Sequence, residues 1–131
     1  MERHDVRLPD AELEVMKALW SLERYPAHTG EIAARLDKSW KAPTLLKLLS
    51  RLEDRGFVAG TKEGRANGYT PLVEERDYLS RESRSFLEKM YGSSLAGLVA
   101  NLYNSRSLSE EDIASLRRFL DEAAGGKPSK K

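Results

Sequence analysis

From Asp10 to Trp20 the apolar residues recur at helical spacing, with Leu13, Val15, Met16, Leu19 and Trp20 on one arc and Glu14, Lys17 and Ala18 opposite. This pattern predicts a first amphipathic helix. Tyr25-Pro26 interrupts it, and Thr29 is placed to cap a short second helix that buries Ile32, Ala33 and Leu36. Pro43 suits the first turn of a third helix running to Arg55, and Gly56 suits its left-handed cap. On that third helix Leu45, Leu46, Leu48, Leu49 and Leu52 share one arc, while Thr44, Lys47, Ser50, Arg51 and Asp54 fill the rest. Three short helices in succession imply a compact tri-helical unit.

After Gly56 the pattern changes. Phe57 to Lys62 and Tyr69 to Val73 read as two strands of a β-hairpin around an Asn67-Gly68 turn, with Lys62, Arg65 and Asn67 at a basic tip. Residues 75–91 return to helical spacing, with Tyr78, Leu79, Phe86, Leu87 and Met90 on one face and Gly92 as the stop. Ser93 or Ser94 then caps a nearly uncharged helix from Leu95 to Tyr103. The last helix has a strong start signal, in which Leu108 and Ile113 flank the Ser109 cap as a hydrophobic staple and Asp112 stands at the capping-box position. Ile113, Leu116 and Leu120 form its stripe, and Gly125-Gly126 opens a basic tail expected to be disordered. The predicted class is mostly α with a small β-hairpin: a winged helix-turn-helix unit over residues 1–73, a helical dimerisation unit over 74–124 and the tail over 125–131.

Composition narrows the chemistry. The chain has 131 residues, 33% of them charged and 40% hydrophobic, which fits one small domain or two subdomains sharing a core. It contains no cysteine, so disulfides and thiolate metal sites are excluded. No apolar run approaches the roughly 18 residues of a membrane span, and Met-Glu-Arg-His-Asp leads into no signal-like stretch. A soluble cytoplasmic protein without membrane insertion is expected. Enzyme readings are poor, because the two histidines, His4 and His28, belong to no metal-ligand or triad spacing, and the acidic pairs fall in first turns of helices, where they suit the macrodipole. No metal or cofactor is expected.

A net charge of +1 looks unlike a nucleic-acid binder, but the charge is segregated. Residues 1–34 sum to −3, residues 35–71 to +4, residues 72–124 to −3 and the last seven to +3. The basic block covers the third helix and the hairpin. It places Lys41, Thr44, Lys47 and Arg51 where a helix can enter the major groove, where Arg suits guanine and Thr a thymine methyl or a phosphate. Lys62 and Arg65 on the ribbon are then phosphate contacts, which add affinity without sequence information. Helix-turn-helix followed by a basic ribbon is the winged-helix order, so double-stranded DNA is the favoured partner.

The helices beyond the ribbon carry more apolar surface than a thin helix pair can bury alone. Phe86, Met90, Leu95, Leu98, Val99, Leu102, Ile113, Leu116 and Leu120 suit a homodimer interface, with Ala96, Gly97 and Ala100 allowing close approach. Intramolecular packing against Trp20 and Tyr69 is the competing use of the same surface. Two functional alternatives also fit the pattern: a winged helix serving as a protein-interaction module, and a regulator gated by a small ligand held between wing and dimer helices.

The ordered strings Asp10-Ala-Glu-Leu-Glu-Val-Met-Lys-Ala-Leu-Trp20, Trp40 with Thr44-Leu-Leu-Lys-Leu-Leu-Ser-Arg-Leu52, Gly56, Tyr69 with Pro71-Leu-Val, and Leu108-Ser-Glu-Glu-Asp-Ile113 resemble the penicillinase repressor family (BlaI/MecI/CopY) from about Leu8 to Leu120. The resemblance implies a dimeric winged-helix repressor on a palindromic operator, with Thr44, Lys47 and Arg51 in the recognition helix and Lys62 and Arg65 in the wing. It also implies a membrane sensor protease, or a protease that it activates, as a partner. On an antibiotic or cell-wall signal the repressor would be cleaved in its dimerisation region, at a point that Asn101-Leu102 matches. The chain departs from the family in having Leu102 where Phe is usual, and Trp-Lys-Ala-Pro where Trp-Ser-Pro-Lys opens the recognition helix. Without cysteine, the metal site of the copper-responsive branch is excluded.

Overall fold

A computed structural model describes residues 7–37, 39–63 and 66–125. In chain order the elements are α1 (Asp10–Trp20), β1 (Ala27–His28), α2 (Thr29–Ala34), α3 (Ala42–Asp54), β2 (Val58–Glu63), β3 (Ala66–Pro71), α4 (Glu75–Tyr91), α5 (Leu95–Asn104) and α6 (Glu110–Gly125). They fall into two compact units, Met1–Ser83 and Arg84–Lys131.

In the first unit α1 buries Val15, Met16, Ala18 and Leu19 against Ile32 of α2 and Leu45, Leu48, Leu49 and Leu52 of α3. Ala18, expected on the outer face, is buried, while Leu13 is only partly so; Ala33 of α2 is exposed. The buried arc of α1 is wide because helices and sheet both cover it, and it takes in Glu12, which is 1% exposed. A carboxylate there needs a partner. Arg55, at the C-terminal end of α3, supplies it at 2.6 Å from its Nε to Oε1.

Helix α3 ends as its glycine predicts. Gly56 adopts φ 83°, its N–H donates to the Glu53 carbonyl, and the Phe57 N–H reaches back to the Leu52 carbonyl at 2.9 Å. This is the Schellman arrangement, and the fully buried Phe57 and Leu52 supply its hydrophobic contact.

The sheet is antiparallel with strand order β1-β3-β2. Two features depart from the sequence reading. Asn67 and Gly68 do not turn the chain: they lie within β3, paired with Lys62 and Thr61, and Glu63 pairs with Ala66. Gly64 and Arg65, between those paired ends, lie outside the described residues. Gly68 is required for close approach instead of a turn, since a Cβ there would meet Pro26 Cβ at 2.7 Å. That crowding comes from the residue just before β1, whose own two residues pair with Tyr69 and Gly68 and are too few to show alternation. His28 follows the strand into α2, its N–H donating to Glu31 at 2.8 Å and its Nδ1 lying 3.1 Å from the Asn67 carbonyl. His28, rather than Thr29, caps α2.

Tyr78 of α4 closes the core of this unit. Its ring packs on Phe57 and Trp20 with centroids 5.6 and 6.0 Å away, and its hydroxyl accepts the Leu8 N–H at 2.9 Å. The Trp20 indole donates to the Val73 carbonyl at 2.8 Å. Helices α1, α2 and α3 followed by the β2–β3 ribbon, with β1 completing the sheet, form a winged helix.

The second unit holds the end of α4 with α5 and α6. Ser94 caps α5 through the Gly97 N–H at 3.0 Å. Ser109 and Asp112 exchange both capping-box bonds at the start of α6, at 3.0 and 2.9 Å, and the bonds from Ser109 hold the Asp112 carboxyl below its usual range. No residue from Arg84 to Gly125 is fully buried. Gly125 is the last residue of α6, and the tail expected beyond it lies outside the described residues.

Candidate nucleic-acid interface

The four buried leucines, the Arg55–Glu12 pair and the Gly56 cap fix α3 on its inner side, so the outer side is presented on a rigid support. Thr44, Lys47 and Arg51 are all exposed and follow one another by roughly a turn each, forming a stripe. Lys41 stands at the N-cap of the helix, also exposed. Among the described residues no ion pair holds Lys41, Lys47, Arg51 or Lys62. The basic block is smaller than its count suggests, because Arg55 serves Glu12 and Arg35 donates to the Ser21 carbonyl and hydroxyl.

Leu46 is the exception on this helix. The sequence places it with the other leucines, but it is 39% exposed, because it lies at the edge of the leucine arc, which none of the described elements covers.

The ribbon stands beside the helix. Ser50 and Glu53 of α3 face Thr61, Lys62, Asn67 and Tyr69 across an open groove of about 360 Å³. Lys62 is thus brought together with α3, while Arg65 lies outside the described residues. The groove is not uniformly basic: a Cβ built on Gly60 would stand 3.1 Å from the Glu53 carboxylate. Tyr69 keeps its proton above the usual phenol range, because of burial first and the Glu53 charge second.

The residues expected at a dimer interface all fall in the second unit. Phe86 and Met90 of α4, Leu95 of α5 and Leu120 of α6 are exposed; Leu98, Val99, Leu102, Ile113 and Leu116 are half-buried. Tyr103 and Phe119, which sequence reasoning passed over, are exposed as well, Phe119 at 64%. The signal for Phe119 was present, since it stands one turn from Leu116. Asn101 and Leu102 lie within α5, and the Asn101 amide donates to the Tyr91 hydroxyl at 2.9 Å. Cutting that peptide bond requires α5 to open locally. Among the described residues no cluster of His, Asp or Glu is arranged to hold a metal, and no helix is long and apolar enough to cross a membrane.

The penicillinase repressor family model matches residues 8–122. The chain belongs to the penicillinase repressor family. The family consists of transcriptional repressors, which are not enzymes. The penicillinase repressor of Bacillus licheniformis is 37% identical over 118 residues, spanning 88% of this chain and 91% of that protein. The methicillin resistance regulatory protein MecI of Staphylococcus aureus (strain N315) is 30% identical over 122 residues, spanning 93% and 99%. The solution structure of monomeric B. licheniformis BlaI in complex with the blaP half-operator shares 37% identity, with 56% of this chain and 89% of that chain covered at a TM-score of 0.46.

Proposed function

We propose that this penicillinase repressor family member is a sequence-specific DNA-binding repressor that acts as a cytoplasmic homodimer on a palindromic operator. The observation that carries the reading is the exposed stripe of Thr44, Lys47 and Arg51 on an anchored helix, with Lys62 across the adjoining groove. In this reading α3 enters the major groove, where Lys47 and Arg51 meet base edges or phosphate, and Lys41, Lys62 and Arg65 meet the backbone. Residues 1–73 form the DNA-binding part and residues 74–124 the dimerisation part. The dimer is supported by the second unit itself, where no described residue is fully buried and Phe86, Met90, Leu95, Tyr103 and Phe119 are exposed. Joining two copies makes the second half-site contact intramolecular.

Cleavage after Asn101 by a signal-activated protease, with a membrane sensor upstream, completes the proposed cycle. It would sever α6 from the rest and remove the bivalent gain. Finding the chain intact throughout induction would remove this step.

Binding titrated against salt tests the interface. Affinity should fall steeply with salt; Arg51→Ala should lose sequence preference, whereas Lys62→Ala should weaken all sequences alike and reduce the salt slope by about one per half-site. Equal binding to selected and random DNA would rule out sequence-specific recognition. If charge reversal at Lys47 and Arg51 spared the protein's interactions, a protein-binding winged helix would replace this reading.

A further inference from the structure

A single exposed leucine carries little information. Leu46 has more around it. Ala42, Pro43 and Leu46 are all exposed, and at about 100° per residue they fall on one side of α3 at its N-terminal end. They make an apolar corner beside the stripe of Thr44 and Lys47, with Ser50 one turn further on. A recognition helix meets base edges mainly through its N-terminal residues, so this corner is the part of α3 that reaches the groove floor. The floor of the major groove has one apolar feature, the thymine C5-methyl. The cationic ends of Lys and Arg have no use for it; the Thr44 methyl can meet it, but the uncovered Leu46 side chain offers the larger apolar surface.

We propose that Leu46 is a specificity-determining residue that reads a thymine methyl within each half-site, flanked by Ala42 and Pro43. The inference rests on the DNA-binding reading above and adds a base identity to it. The rest of α3 would then read polar edges while its N-terminal end selects thymine by apolar contact. The same contact disfavours cytosine at that position, which lacks the methyl and presents an amino donor that leucine leaves unpaired.

The test begins with a site selected by the wild-type chain from random double-stranded DNA. Each thymine of the half-site is replaced in turn by deoxyuridine, which removes only the methyl, and affinity is measured for the wild type, Leu46→Ala and Lys62→Ala. Wild type should lose about fourfold at one position, the value of burying one methyl. Lys62→Ala should keep that loss, and Leu46→Ala should bind the thymine site more weakly and show no further loss with deoxyuridine. Leu46 is exposed on a helix and Ala is a good helix former, so the variant should fold; an unchanged helical circular-dichroism spectrum checks this. A full methyl effect in folded Leu46→Ala, or none at any position in the wild type, overturns the proposal while leaving the DNA-binding reading standing. Failure of the wild type to select any sequence overturns both.

Discussion

Glu12 and Arg55 are unequal partners. The Glu12 side chain is 1% exposed, whereas the Arg55 side chain is 31% exposed. Arg55→Ala strands a buried charge and should cost about 3 kcal/mol or more, while Glu12→Gln leaves Arg55 free to turn outward and should cost less. Urea titration of the two variants checks the order; a larger loss in Glu12→Gln would contradict it. Tyr78 gives a second prediction at this scale. Burial is the main reason its phenol holds its proton above the usual range, opposed by the hydrogen bond from Leu8. The unfolded chain releases that proton near pH 10, so the contribution to stability is complete below about pH 10 and is lost as pH rises towards the higher folded value. Tyr78→Phe should lower stability at pH 7 by about 1 to 3 kcal/mol, because the buried Leu8 N–H loses its acceptor. It should also flatten the alkaline loss without abolishing it, as Tyr25 and Tyr69 are shifted the same way. Neither residue was legible in the sequence: Glu12 reads as one more surface acid and Tyr78 as one apolar position among several, and only the tertiary contacts separate them.

At the scale of elements, local chemistry decided what could be read. Helix ends with their own signals were legible, as at Gly56, Gly92 and the Ser109–Asp112 box, because each motif satisfies orphan backbone groups within a few residues. The hairpin was found but its turn was misplaced, since Asn67-Gly68 has turn chemistry and only the approach of Pro26 explains why glycine stands in the strand. The end of α5 had no signal. There Arg106 takes the left-handed position at φ 63°, its N–H on the Tyr103 carbonyl and the Ser107 N–H on the Leu102 carbonyl, where glycine is the ordinary choice. Arg106→Gly should therefore raise stability by about 0.5 to 1 kcal/mol, the relief of the left-handed cost exceeding the added freedom of the unfolded chain. A lower melting temperature in this variant would show that the Arg106 side chain contributes more than its backbone conformation costs.

For the whole molecule, net charge misleads because it averages a basic block over residues 35–71 with acidic stretches on either side of it. The winged helix presents Lys41, Lys47, Arg51 and Lys62, and the second unit presents uncovered apolar side chains. The candidate interface on α3 was legible because the helical period separates its leucines from its polar positions, with Leu46 as the one misplaced residue. The two faces together motivate a dimer that grips two half-sites. The most direct test is to select a palindrome from random DNA and compare it with the same DNA carrying one scrambled half-site. The account predicts two chains on the palindrome and a loss of affinity on the order of a hundredfold or more on scrambling. Binding of a single chain, with equal affinity for the palindrome, the scrambled site and random DNA, would contradict it.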